Sequence, residues 1–221
     1  MKWFRRLKNW IINKRKKTPI QIDIKKPIGE VKYFVRGEIA KKLVDMWESI
    51  DVKTLGRQKS SDIAWYIKKI NQNKERYINA SNQVEMSSGK SIPWEVIAVL
   101  HAMEGSLNLS KQILNGERWN KKTKLVPKGY GPFKSFEESC LVGLSLKSAP
   151  QEWTIQNTLY YMELWNGLGY RRKGKLSPYL WSYSNHQEKG KYVRDHVYDK
   201  NAVSLQVGCA ILLKEINYLV D

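Results

Sequence analysis

A chain of 221 residues can bury one substantial core and carry a small appendage, and its 39 Lys and Arg against 21 Asp and Glu give a formal net charge of +18. That sign points to an anionic polymer or surface as partner, without choosing among nucleic acid, anionic lipid and bacterial wall material. No apolar run is long enough to span a bilayer and no small-residue cleavage site follows the first apolar positions, so a chain soluble when made is expected.

Residues 1–17, MKWFRRLKNWIINKRKK, hold eight basic residues and no acid, with Trp3, Phe4, Leu7, Trp10 and Ile11 on one helical stripe. The pattern predicts a basic amphipathic helix suited to an anionic membrane or envelope surface. Docking on the protein's own surface and contact with nucleic-acid phosphates are the alternatives, but no base-reading module accompanies it, so no specific nucleic acid is expected. Up to residue 36, Pro19, Pro27 and Gly29 punctuate a short alternation that reads as a linker. The division is therefore 1–36, basic segment and linker, and 37–221, one folded domain.

Helical spacing returns at Glu38 to Ile50 and at Ser60 to Tyr77, followed by a polar stretch from Asn79 to Lys90. Then comes IPWEVIAVLHAMEGSLN, Ile92 to Asn108, a helix with no broad polar face and hence a place inside the domain. Pro93 suits its first turn, Glu95 suits the positive end of its dipole, and Gly105 is expected to terminate it directly after Glu104. An acid in the last turn of a buried helix feels both the negative end of the dipole and desolvation. Both raise its pKa, and a carboxyl still protonated near neutral pH can act as a general acid. On spacing alone, a solvated helix-end glutamate is the simpler account.

Leu107 to Phe133 has little periodicity, and a loop of that length in a compact domain is more often functional than idle. Helices are expected again at Ser135 to Leu146, Trp153 to Trp165 and Ala202 to Leu219, separated by a Gly-, Tyr- and Trp-rich stretch that cannot be one plain helix. The fold class is mainly α, with long loops converging on one end of a buried central helix. Nine Trp and twelve Tyr against four Phe suit either core packing or surfaces that hold sugars and bases. Cys140 and Cys209 sit in apolar contexts and read as small buried hydrophobes.

Laid side by side, IPWEVIAVLHAMEGSLNLSKQILNGE, VPKGYGPFKSFEESCLVGL, NGLGY and SPYLWSYSNHQEKGKYV occur in the order seen in the lysozyme-like muramidase and lytic transglycosylase domains of phage endolysins, which the chain resembles from about Glu38 onward. The resemblance implies a lysozyme-like helical domain that cleaves the β-1,4 bond between N-acetylmuramic acid and N-acetylglucosamine, with Glu104 protonating the leaving oxygen. Thirteen residues on, where the family usually has Asp in an NGD triplet, stands Glu117 in NGE. If its carboxylate reaches the site, it can hold a water, which gives a muramidase. If it does not, the substrate's acetamido group or 6-hydroxyl attacks, and the latter gives the anhydro product of a lytic transglycosylase. The family's Ser after the catalytic Glu is replaced by Gly105, though Ser106 is kept.

Substrate contacts are expected from Ser106, Tyr130, Asn166, Tyr170, Tyr179, Trp181 and Asn185, because rings stack on pyranose faces and Asn amides match the N-acetyl group. Trp94, Trp153 and Trp165 are assigned to packing, His186 to loop hydrogen bonding, and His101 is a candidate neighbour of Glu104. No metal or cofactor is called for. The partner implied is a peptidoglycan glycan strand met by a monomer, either made in a host cytoplasm to act on the wall or carried on a virion. A chitinase-like hydrolase of N-acetylglucosamine polymers and a non-catalytic basic binding module on the same scaffold are the competing readings.

Overall fold

The computed structural model describes residues 35–52, 56–194 and 197–219, so the expected amphipathic helix at 1–17 and nearly all of the linker lie outside the described residues. Within them the protein is mainly α-helical. In chain order the elements are α1 Gly37–Glu48, α2 Arg57–Gln72, α3 Lys74–Ser88, α4 Trp94–Gly105, α5 Phe136–Ser145, α6 Ile155–Asn166, α7 Gly169–Arg172, α8 Pro178–Trp181, β1 Lys191–Arg194, β2 Val197–Asp199 and α9 Cys209–Glu215. The two strands form an antiparallel hairpin. No helix of the described residues is long and apolar enough to cross a membrane.

The apolar sequence of α4 has the consequence its pattern predicts. Val96, Ile97, Ala98, Val99, Leu100 and Ala102 are all completely buried, and α3 and α9 pack directly against the helix. Each large apolar side chain so buried contributes roughly 1.5–3 kcal/mol, which anchors α4 far more firmly than a surface helix. Around it α5 packs on α3, α1 on α6, and α8 on both α6 and α9. Ser135 caps α5 by accepting the Glu138 N–H, and a half-exposed Arg76–Glu137 ion pair ties α3 to α5. Cys140 and Cys209 are free thiols in the core.

Three stretches depart from the periodicity. The helix expected at Ser60 to Tyr77 breaks at Asn73, whose side-chain amide donates to the Lys69 carbonyl and whose backbone closes α2 and opens α3. The stretch from Asn79 to Lys90, expected to be a polar separator, is helical through Ser88. Its polar composition hides the spacing of Tyr77, Ala80 and Val84, three buried residues on one face. At the other end, only Cys209–Glu215 of the helix expected from Ala202 to Leu219 forms. Residues 202–208 instead serve as partners for neighbouring segments: the Ala202 carbonyl accepts from Gly190 N–H, the Ser204 carbonyl from the Gln187 amide, and the Gln206 amide donates to the Met103 carbonyl.

Candidate functional site

Glu104 occupies the last turn of α4, and the chain leaves the helix differently from the sequence-based expectation. Gly105 is still helical; the left-handed residues are Ser106 (φ 52°) and Leu107 (φ 56°), whose N–H groups both donate to the His101 carbonyl. Gly105 is needed for space, since a Cβ there would lie 2.6 Å from His101 Cδ2. At the other end, Pro93 precedes the helix with extended backbone, and Trp94 is its first residue.

His101 is not a partner of Glu104. Its Nε2 lies 3.0 Å from the Asn108 carbonyl and its Nδ1 2.9 Å from the Tyr77 hydroxyl. A carbonyl only accepts, so Nε2 carries the proton and Nδ1 accepts from Tyr77. The neutral ring thus pins the loop after Glu104 to α3. Burial pushes its pKa down to about 4, reinforced by Arg76 and Lys111 and opposed by the Asn108 bond. Because the folded pKa is below the unfolded value near 6.5, the contribution is complete above that value and is lost as pH falls through about 4. Urea titrations should show up to about 3 kcal/mol of stability disappearing across this window, at roughly 1.4 kcal/mol per pKa unit. His101→Gln, which cannot titrate, should flatten that part of the pH curve; an unchanged slope in the variant would discard the assignment.

The Glu104 carboxyl is partly exposed yet deeply set. Desolvation raises its pKa to about 7, against the opposing pull of a hydrogen bond from Tyr179 and the charge of Lys147. The Tyr179 hydroxyl donates to Glu104 Oε1 at 2.9 Å, and its own pKa is raised well above the ordinary value by burial and by the neighbouring carboxylate. Tyr179 reaches this place because Pro178 starts the short helix α8, which packs on α6 and α9 beside the end of α4. A partly open carboxyl that is half protonated near neutral pH has the acidity general acid catalysis needs.

The long loop is present as expected, with no helix and only the isolated bridge between Lys111 and Arg118 from Ser106 to Lys134. It folds back onto the end of α4 at Gly116. There φ is +72°, and a Cβ would lie 2.2 Å from the Glu104 carbonyl oxygen. Glu117 follows immediately, but its carboxylate turns to its own loop. It accepts the Leu125 N–H at 2.9 Å and the Lys124 N–H at 2.9 and 3.2 Å. Three backbone hydrogen bonds therefore hold the carboxylate as a loop brace.

No protein family, curated protein or solved structure matches this chain. Of the residues expected to hold substrate, Tyr179 is the one hydrogen-bonded to Glu104. Ser106 is exposed at the helix end beside it, and Asn166 is exposed at the end of α6. Tyr130 is half-buried against Leu114, Phe133 and Val142 in the loop's small apolar cluster.

The other three face the fold itself. The Tyr170 hydroxyl accepts the Tyr192 N–H and its ring packs edge-on with Tyr192 and Tyr198 of the hairpin. Trp181 is buried, lining a cavity of about 250 Å³ with Leu43, Met46, Glu163 and Arg171, and Glu104 is not in its walls. The Asn185 side chain accepts from Asp51 N–H and donates to the Ser49 carbonyl, which fastens its loop to the end of α1. His186 acts as the expected loop residue, with Nε2 2.9 Å from the Met46 carbonyl. Lys147, whose charge reaches Glu104 and whose ammonium lies 5.6 Å from the Trp165 ring centre, was not anticipated. It follows α5 in a lysine-rich chain, where nothing distinguishes it locally.

Proposed function

We propose that this protein is a peptidoglycan-cleaving glycosidase of the lysozyme-like kind, with Glu104 as its acid and, by preference, lytic transglycosylase chemistry. The observation that carries the reading is a partly exposed carboxyl at the end of a helix buried from Val96 to Met103, its pKa lifted to about 7 and one oxygen held by Tyr179. In the forward step the Glu104 carboxyl gives its proton to the glycosidic oxygen while the bond to the anomeric carbon of N-acetylmuramic acid breaks. The leaving N-acetylglucosamine departs with a free hydroxyl. The 6-hydroxyl of the muramic sugar then attacks the anomeric carbon and returns its proton to the Glu104 carboxylate, so the acid is regenerated and no water is consumed.

Support for the transglycosylase branch over hydrolysis comes from Glu117, whose oxygens are occupied by the Lys124 and Leu125 N–H groups and are thereby diverted from activating a water. Mass spectrometry of fragments released from purified peptidoglycan tests it. Anhydromuramyl ends are expected. Reducing muramic acid ends would instead assign a muramidase and return Glu117 to the mechanism, and release from chitin oligomers alone would move the substrate to N-acetylglucosamine polymers.

A further inference from the structure

From Arg118 to Lys134 the loop carries Arg118, Lys121, Lys122, Lys124, Lys128 and Lys134 and no acidic residue. At its far end Leu125 and Val126 are 58% and 79% exposed. Adjacent apolar side chains in water are unremarkable on a slack segment, but the backbone beneath these two is braced. The Glu117 carboxylate accepts from the Lys124 and Leu125 N–H groups, and the Asn115 amide donates to the Leu125 carbonyl. The Thr123 hydroxyl donates to the Pro127 carbonyl, while Thr123 N–H donates to the Tyr130 carbonyl. Below the brace, Trp119 and Tyr130 rest on Leu114, Phe133 and Val142. The loop therefore presents a braced apolar tip flanked along the chain by the exposed Lys121, Lys122, Lys124 and Lys128.

We propose that this tip docks on an anionic lipid bilayer, with Leu125 and Val126 entering the interface and Lys121, Lys122, Lys124 and Lys128 meeting headgroup phosphates. Charge complementarity selects an anionic partner, and the apolar pair selects among anions. A glycan or phosphodiester polymer would engage the lysines but offers no apolar layer for a Leu–Val pair. A nucleic acid would be served by rings that stack on bases, and the tip has none. The proposal stands independently of the chemistry of Glu104. It adds a geometric consequence, because Gly116 of the same loop lies on the Glu104 carbonyl, so docking would present the catalytic end of α4 to material lying next to the membrane.

The test uses the full chain carrying Val126→Cys labelled with a polarity-sensitive fluorophore; Cys140 and Cys209 are completely buried, so the label goes to the tip. Vesicles of phosphatidylglycerol and phosphatidylcholine should shift the emission to the blue and brighten it severalfold, and quencher-bearing lipids should reverse the change. Pure phosphatidylcholine should do neither. Unlabelled Leu125→Ser/Val126→Ser should bind the anionic vesicles at least about 5-fold more weakly while keeping the wild-type urea midpoint, which shows that the fold is intact. Vesicle binding by sedimentation without any change at the tip would overturn the proposal and assign binding to another basic segment such as residues 1–17. An equal spectral response to soluble polyphosphate or to glycan strands would overturn it in favour of a polymer site.

Discussion

Glu104→Gln is expected to reduce release of soluble fragments from purified peptidoglycan by roughly 10²–10⁴-fold, the range a positioned general acid contributes. Glutamine keeps the shape of the side chain and an oxygen able to accept the Tyr179 hydroxyl, so the 2.9 Å contact has a substitute and only the proton is lost. The same proton sets a pH dependence. A carboxyl with a pKa near 7 is the competent acid below that value, so the wild-type rate should decline as pH rises through it. Stability carries the matching signature. A folded pKa above the unfolded 4.5 means that the favourable contribution is complete below 4.5 and is lost as pH rises through about 7. At pH 8 the wild type therefore holds an ionised carboxylate in a poorly solvated place, at a cost of up to about 3 kcal/mol. Glu104→Gln should melt higher than wild type at pH 8 and nearly level with it at pH 4. Retained wall cleavage would remove Glu104 from the mechanism; equal melting at both pH values would show that the carboxyl is solvated after all.

What the chain discloses locally is what depends on local chemistry. The central helix was legible because twelve successive residues from Trp94 to Gly105 have no broad polar side, and no solvent-facing helix could tolerate that. The raised pKa of Glu104 followed from the same fact, since a buried helix must desolvate whatever stands in its last turn. The helix α3 was illegible because only Tyr77, Ala80 and Val84 are buried among fifteen residues, and its stability comes from α5 and α4, which lie elsewhere in the chain. Similarly, residues 202–208 look helical by composition but are drawn into hydrogen bonds with residues far away in sequence, Met103 among them.

Within the site, the residue type at position 117 was legible and its direction was not. A carboxylate in a loop can face substrate or backbone, and the choice is made by the Lys124 and Leu125 N–H groups that need acceptors. Tyr170, Trp181 and Asn185 show the same limit. Each has the chemistry to hold a sugar, and each has that chemistry engaged by the hairpin, the core or the end of α1.

A pair of glycine substitutions separates backbone strain from seating of the loop on α4. Gly89 and Gly116 have nearly the same positive φ, +68° and +72°, but a Cβ at Gly89 meets open space whereas one at Gly116 would overlap the Glu104 carbonyl oxygen. Gly89→Ala should therefore show the left-handed penalty alone, about 1–2 kcal/mol. Gly116→Ala carries that penalty and must also move either the loop or the end of α4, which adds about 1–3 kcal/mol of the kind seen on overpacking. A total of roughly 2–5 kcal/mol is a large share of the stability of an ordinary domain. The functional effect should be larger still in relative terms, because the atom displaced belongs to the backbone of Glu104, and misplacement by about 1 Å can cost 10²-fold in rate. Urea midpoints for the two variants, with fragment release assayed where both remain folded, give the comparison. Gly89→Ala should cleave wall at the wild-type rate and Gly116→Ala about 10²-fold more slowly. Equal destabilisation with full activity in both would mean that the loop does not rest on Glu104 and does not position its carboxyl.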